Sequence, residues 1–481
     1  MNVRAAIADR RVLAALAGGA LALAGCGGGS SPPPDDAAKL VPAGALVYVH
    51  LSTDTGRDAT KTALKLAKHF PSFERIRNSL LRRLQDPRCG GDLRKQHGRE
   101  AALALLNTQT GTAGSLVLVD TGKEHSSAAT KACGLVSQTY IGRFLAIGQQ
   151  QSLAAARALA KAGDRASSLA RNPDFRRAMG ELPADRVADA WASADGVRRL
   201  LAPQGGVLGA AGVLLDQPGL KGAGIGLVAH EKSARIVVRS ELDPDTKRPQ
   251  TFRPFEPTLQ GRAPKGVLGY LGVSGLSAAL SRVLTAVGPQ TAGVGALLRR
   301  AGGQLDRVLQ GEAGLTLTPS VPAPVLTVTA HADKDAAGTL AQLEAPIAGL
   351  LGKNVRFRAT TVAGRPARTL KTGPIPLTYA LDDGLVIIST APSGVAAVLR
   401  KGDHLDRQDS FKAVAGDAPG KVSSLLFLDF TELLRLGEQT GLGDSRAYQS
   451  VRDDLQKVRA VGAWSSGSGD ESNAEINLSI P

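Results

Sequence analysis

One set of residues recurs along this chain with its spacing kept, which restricts the fold to one that two separate lengths of sequence can both adopt. Pro42, Gly44, Leu46, Tyr48 and Ser52 return as Pro264, Gly266, Leu268, Tyr270 and Ser274. Glu100, Ala101, Leu103 and Leu105 return as Glu312, Ala313, Leu315 and Leu317. Leu169, Arg171, Phe175, Gly180 and Pro183 return as Leu405, Arg407, Phe411, Gly416 and Pro419, an offset of 236 that Lys221/Lys457 and Gly226/Gly462 share. These anchors, in one order, point to two tandem copies of one unit, residues 40–245 and 262–481, joined by the Pro- and Lys-rich segment 243–257. A chain of 481 residues has room for two domains of ordinary size.

Within each copy, strands and helices are mixed without a regular βαβ alternation, which predicts an α+β fold. Apolar runs at 45–51, 101–106, 115–120, 144–147 and 187–192 read as strands, and 225–229 with 235–240 as a hairpin around Glu231–Ser233. Two basic amphipathic helices follow the first strand. In the second, Ser72 is placed to cap and Phe73, Ile76, Leu80 and Leu84 share a face, with Asp86–Pro87 ending it. Further helices are expected near 126–135, over 152–162 and over 169–179. At the C-terminus Ala474, Ile476, Leu478 and Ile480 alternate with Glu475, Asn477 and Ser479, a strand with one dry and one wet face, so the sheet is at least partly antiparallel.

The N-terminus carries Arg4, Arg10 and Arg11 and then an apolar run, Val12–Ala24, of 13 residues. A helix needs about 20 residues to cross a bilayer, so this run reads as a signal rather than a span; Arg10–Arg11 also hints at a twin-arginine export route. The run ends in Leu23–Ala24–Gly25–Cys26, which resembles the lipobox of bacterial lipoproteins. That resemblance implies a signal peptide over 1–25, cleavage before Cys26, a lipidated Cys26 and an extracytoplasmic protein anchored to the bacterial cell membrane. Residues 26–39 contain GGGSSPPPDDA, flexible glycine and serine followed by extended proline, and read as a tether. With Cys26 assigned to lipid, Cys89 and Cys133 remain as a pair. In an exported protein they can form a disulfide, adding roughly 3 to 4.7 kcal/mol by constraining the unfolded chain; the alternative is two independent buried thiols.

The opening VPAGALVYVHL, the segment SLARNPDFRRAMGELPAD with its echo HLDRQDSFKAVAGDAPGK, and the strand LVIIST together resemble a family of bacterial envelope proteins that share a domain of unknown function. The likeness spans most of residues 40–481. It implies fold and location, and carries no activity with it.

Formal net charge is +15, and the excess is uneven: from Arg57 to Arg99 there are 12 basic residues against four acidic ones. A second run, Lys353, Arg356, Arg358, Arg365, Arg368 and Lys371, contains no acid. Near an anionic surface each such residue contributes about 1 kcal/mol, so the Arg57–Arg99 region is a candidate contact for anionic lipid or wall polymer; a solvated basic face is the alternative. Nucleic acid is not expected as a partner, since aromatic platforms are lacking at 4% aromatic residues.

Motifs for chemistry do not assemble. Gly272–Val273–Ser274–Gly275 only approaches a nucleophile elbow, and His230–Glu231 lacks the second histidine of a zinc protease. Gly222, Gly224 and Gly226 run on into a strand where a phosphate loop would open a helix. Asp243 and Asp245 lack the ligand series of a calcium loop, and Ser465–Asn473 reads as a hairpin turn. His50 falls on the same side of a strand as Tyr48 and Ser52 and reads as a partly buried, satisfied histidine, with Gly272 at the matching position. The apolar stretch Gly205–Leu215 reads as a buried helix or the wall of a lipid site. No catalytic residue, metal ligand or cofactor is assigned. The expected function is a noncatalytic, membrane-anchored surface lipoprotein that binds a protein partner, an envelope polymer or a lipid; a solute-binding receptor for a transporter is the alternative, and a hydrolase comes third.

Overall fold

The computed structural model describes residues 31–84, 98–107, 113–126, 129–134, 136–201, 217–246, 254–275, 311–321, 323–351, 355–372, 375–400, 402–468 and 470–481. Cys26, Cys89, Lys353 and Gly205–Leu215 lie outside them. The fold is α+β, with one large antiparallel sheet. The first half of the chain supplies β1 Ala45–Ser52, β2 Glu100–Asn107, β3 Ala113–Asp120, β4 Lys131–Cys133, β5 Val136–Ile141, β6 Phe144–Gly148, β7 Ala188–Ser193, β8 Leu220–Ala229 and β9 Ser233–Leu242. The second supplies β10 Gly269–Ser274, β11 Glu312–Thr318, β12 Val325–His331, β13 Arg358–Val362, β14 Arg365–Thr372, β15 Ile375–Asp382, β16 Leu385–Ser389, β17 Ser424–Asp429, β18 Ala460–Ser468 and β19 Glu471–Ser479.

Pairing places these strands in the order β4-β5-β6-β3-β2-β1-β7-β8-β9 and then β19-β18-β17-β10-β11-β12-β16-β15-β14-β13. The two lengths of chain meet where β9 pairs with β19, from Ser233↔Ser479 to Glu241↔Glu471. Val238 stands opposite Ala474 there. Those two residues are separated by the same offset of 236 that relates Lys221 to Lys457.

Helices cover the sheet because their apolar stripes need burial. Asn172 caps the helix α1, Pro173–Gly180, accepting from the backbone N–H of Asp174 at 2.9 Å and of Phe175 at 3.1 Å. Its Phe175 meets Trp191 of β7 edge-on at 5.8 Å and Tyr48 of β1 at 5.9 Å. The helix expected over 169–179 is split, because a residue before proline is pushed out of helical backbone: a turn at Leu169–Arg171 precedes Asn172–Pro173.

Other expectations are corrected. Within the segment read as a helix near 126–135, Lys131–Cys133 form β4, and Gly134 has φ 75° after it. The tether ends before residue 39: a short turn at Ala37–Leu40 buries Ala37, Ala38 and Leu40. Phe255, read as part of a linker, bridges to Val422 and is buried. Within Ser465–Asn473, Ser465–Ser468 and Glu471–Asn473 are paired strand. Of the expected dry residues Ile480 is buried, while Ala474, Ile476 and Leu478 on β19 are half-buried and Glu475 is buried among them, because the strand pairs on both edges and Glu475 finds Asn477 at 3.1 Å and Arg235 at 3.8 Å.

Candidate functional site

Polar chemistry concentrates behind β1, where the N-terminal segment crosses the sheet. Strand alternation turns Tyr48, His50 and Ser52 to one side of β1, and register sets His50 opposite Ala102 of β2 and Asp189 of β7. Glu100 opens β2 beside Ser52. The side chains of His50 and Glu100 are fully buried and that of Asp189 nearly so.

Each carboxylate is held by a particular donor. Glu100 accepts the backbone N–H of Asp36 at 3.2 Å and of Ala37 at 3.1 Å, so it caps the Ala37–Leu40 turn. Arg143 donates to Glu100 at 2.8 Å and lies 3.3 Å from both Asp36 and Asp120. Asp189 accepts from Arg186 Nε at 2.8 Å. Tyr48 donates its hydroxyl to Asp35. Arg57 reaches out of the first basic region to donate to the carbonyls of Arg186 at 2.9 Å, Ala184 at 2.8 Å and Ser31 at 3.1 Å.

His50 sits among these anions. Nδ1 is 3.4 Å from Asp189 Oδ2, and Nε2 is 3.6 Å from Glu100 Oε2 and has no hydrogen-bond partner. Burial pulls the imidazole toward its neutral form, but Asp189 and Asp35 outweigh burial and hold its pKa well above the ordinary value. Burial would raise Asp189, yet His50 and Arg186 keep it below its usual range. Asp35 is pushed up, chiefly by burial, and Tyr48 well up by burial and by the carboxylate beside it. The arrangement favours positive charge at its centre. Ser52 Oγ is buried without a partner on the same side; with that residue 0% exposed, no substrate carbonyl reaches it.

Among the described residues, the corresponding register of the second half holds no buried histidine; the imidazole near its glutamate is that of exposed His331, with Nε2 3.9 Å from Glu312 Oε2. Glu312 again caps a turn, accepting the backbone N–H of Thr258 at 2.8 Å and of Leu259 at 2.9 Å and the Thr258 hydroxyl at 2.6 Å. Leu405 N–H bonds Ala263 O at 2.9 Å as Leu169 N–H bonds Val41 O at 2.7 Å. Where His50 faces Asp189, however, Gly272 faces Leu425. Leu425, Val422 and Phe255 pack with Tyr270 into an apolar cluster.

The residues singled out in the sequence fall elsewhere. Cys133 is buried at the end of β4, and its expected partner Cys89 is outside the described residues, as is Cys26. Arg57 is buried and so leaves the basic surface. In the acid-free run, Arg365 pairs with Asp382 at 3.2 Å and Arg368 with Glu344 at 2.6 Å, acids that come from other elements. Gly222 and Gly224 lie on β8 and serve close packing: a Cβ at Gly222 would stand 2.0 Å from the Trp191 ring. Ser274 ends β10, paired with Glu312, and makes no elbow. His230–Glu231 is in the β8–β9 turn. What sequence reasoning missed is Asp35, Asp189 and Arg186. Glu100 was visible as a repeated acid at the head of an apolar strand.

No family model matches the chain, and no curated protein does. Among solved structures it is similar to the protein TP0453 in several crystal forms. With form III the identity is 6%, the match covers 46% of this chain and 93% of that one, and the TM-score is 0.24. With form I the values are 10%, 46%, 82% and 0.24. A superposition that loose carries no argument about this protein. No helix among the described residues is long and apolar enough to cross a membrane.

Proposed function

We propose that this protein is a noncatalytic extracytoplasmic lipoprotein, attached to the cell membrane through a lipidated Cys26, that presents a wide antiparallel sheet to a protein partner, an envelope polymer or a lipid. The observation that carries this reading is how the segment leading from Cys26 is fastened. Ser31 is held by Arg57, Asp35 by Tyr48, and Asp36 and Ala37 by Glu100. A segment used only as a spacer needs no such hold; one that transmits attachment to the folded body does.

The same reading takes the sheet to be two copies of one unit, 40–245 and 262–481, related about the Val238–Ala474 pair. Support comes from the paired capping glutamates Glu100 and Glu312 and from the matching bridges Pro42↔Ser168 and Pro264↔His404. It also takes Cys89 and Cys133 to be joined. A solute receptor is supported less, since the lobes of such receptors alternate strand and helix regularly, whereas the strands here pair antiparallel.

The test is fractionation of the full-length chain expressed in a bacterium and fed a labelled fatty acid. Wild type is expected in the membrane fraction carrying label, and Cys26→Ser is expected unlabelled and released. Label or membrane retention unchanged in Cys26→Ser refutes the anchor.

A further inference from the structure

We infer that Asp35, His50 and Glu100 form a site for one divalent transition-metal cation, of the Zn²⁺ or Mn²⁺ class, that staples the N-terminal segment to β1 and β2. One donor atom from each residue lies within 4.8 Å of the others.

Three features of the geometry ask for a cation. First, His50 Nε2 is fully buried, has no hydrogen-bond partner, and points at Glu100 Oε2 across 3.6 Å. That is beyond hydrogen-bond length, but it suits two ligands of one ion: donors at about 2.1 Å from a tetrahedral centre stand about 3.4 Å apart. Second, the donors have capacity to spare. Both hydrogen bonds to Asp35, from Tyr48 Oη and Ala38 N, end on Oδ1, which leaves Oδ2. Glu100 Oε2 holds the Ala37 N–H and keeps a lone pair. Third, the other imidazole nitrogen faces Asp189, itself fixed by Arg186 at 2.8 Å. A carboxylate behind the ring is the arrangement that orients metal-bound histidines.

Charge points the same way. Asp35, Asp36, Glu100, Asp120 and Asp189 face Lys39, Arg57, Arg143 and Arg186, so with the imidazole neutral, as a metal ligand is, one negative charge of this cluster is left unbalanced. Nor does the backbone frame require this cluster. At the matching positions the second half has Pro257, Gly272, Val422 and Leu425 beside the same capping glutamate, Glu312. Buried ions are generally no more stabilising than a well-packed apolar substitute, so their retention in one half needs another reason, and a bound cation supplies it. One imidazole with two carboxylates favours a first-row transition ion over Mg²⁺ or Ca²⁺, which prefer oxygen throughout.

The test uses the purified full chain, stripped with chelator, dialysed against Zn²⁺ alone or Mn²⁺ alone and analysed for bound metal. Wild type is expected to retain close to one equivalent. His50→Gln removes a ligand and Asp35→Asn weakens another, each costing at least about 10- to 100-fold in affinity. Asp35 lies on the crossing segment and outside the sheet, so Asp35→Asn keeps the fold, checked by circular dichroism, even if His50→Gln does not. Glu312→Gln in the second half should bind as wild type does. The inference is overturned if wild type retains under a tenth of an equivalent, or if Asp35→Asn and His50→Gln retain as much as wild type, which would place the metal at surface histidines.

Discussion

Truncating Glu312 to alanine tests whether the capping glutamates hold their turns in place. Glu312 is 5% exposed and is bonded by Thr258 N, Thr258 Oγ1 and Leu259 N. Thr258 is exposed, so in Glu312→Ala water can replace its lost acceptor, while Leu259, at 2% exposure, loses an acceptor where water is scarce. Leaving a buried donor unsatisfied costs about 1–3 kcal/mol, and hydrogen bonds to a charged acceptor are worth about 1.5–3 kcal/mol. Losing the first in full and part of the second gives about 3 kcal/mol against the Leu259–Gly261 turn. At 1.36 kcal/mol per tenfold, amide exchange in a peptide spanning that turn should speed up by about 100-fold. Glu312→Gln keeps one acceptor oxygen and should lie between the two. Hydrogen–deuterium exchange read by mass spectrometry makes the measurement, with the paired strands β9 and β19 as internal reference. Acceleration below threefold at the turn in Glu312→Ala would show that packing of Leu259 and Phe255 holds it unaided, and the capping argument would fall for Glu100 as well.

Two other outcomes are expected. Glu344 is held below its usual pKa, first by the bond from Arg368 and also by Tyr379, so its contribution is present above the unfolded value and lost as pH falls through the folded one; Tyr379, pushed up to about 12 by burial and by Glu344, contributes below its ordinary value and loses that as pH rises through about 12. Glu344→Gln should flatten the pH dependence of Tm at both ends, by about 1 kcal/mol or less since Arg368 is partly exposed, and a mutant profile parallel to wild type would refute the linkage. Peptide mapping without reductant should recover Cys89 and Cys133 in one cross-linked fragment; two separate peptides would remove the disulfide.

Legibility followed sequence distance. β1, β2, β3, β6, β7 and the β8–β9 hairpin could be read because local alternation or an apolar run decides them. Helix expectations failed where one residue overrode composition, at Gly134 and at Pro173. His50 was read as a partly buried histidine because Tyr48 and Ser52, two residues away on either side, are all that a period of two can show. Its acids arrive from 139 residues downstream, in Asp189, and from a segment whose GGGSSPPPDD composition reads as unstructured. The recoverable signal was Glu100: an acid leading an apolar strand, repeated as Glu312, is an expensive residue to bury twice without a donor set waiting for it.

The difference between the halves follows from how the chain is held. The turn at Leu259–Gly261 lies inside the chain, with β10 after it and Phe255 bridged to Val422 before it, so an apolar cluster suffices to seat it. The turn at Ala37–Leu40 is continuous on one side only with the segment that leads to Cys26. On the anchored reading, any pull between membrane and sheet acts first on residues 31–37, and apolar contacts between small side chains such as Ala37 and Ala38 resist it weakly. Directional bonds resist it better, and they are what the segment has: Arg57 on Ser31, Tyr48 on Asp35, Glu100 on Asp36 and Ala37. An ion shared by Asp35, His50 and Glu100 would close that set, joining the segment to both β1 and β2. The ionic cluster then belongs in the half that bears the anchor, and Gly272 stands where the load is absent.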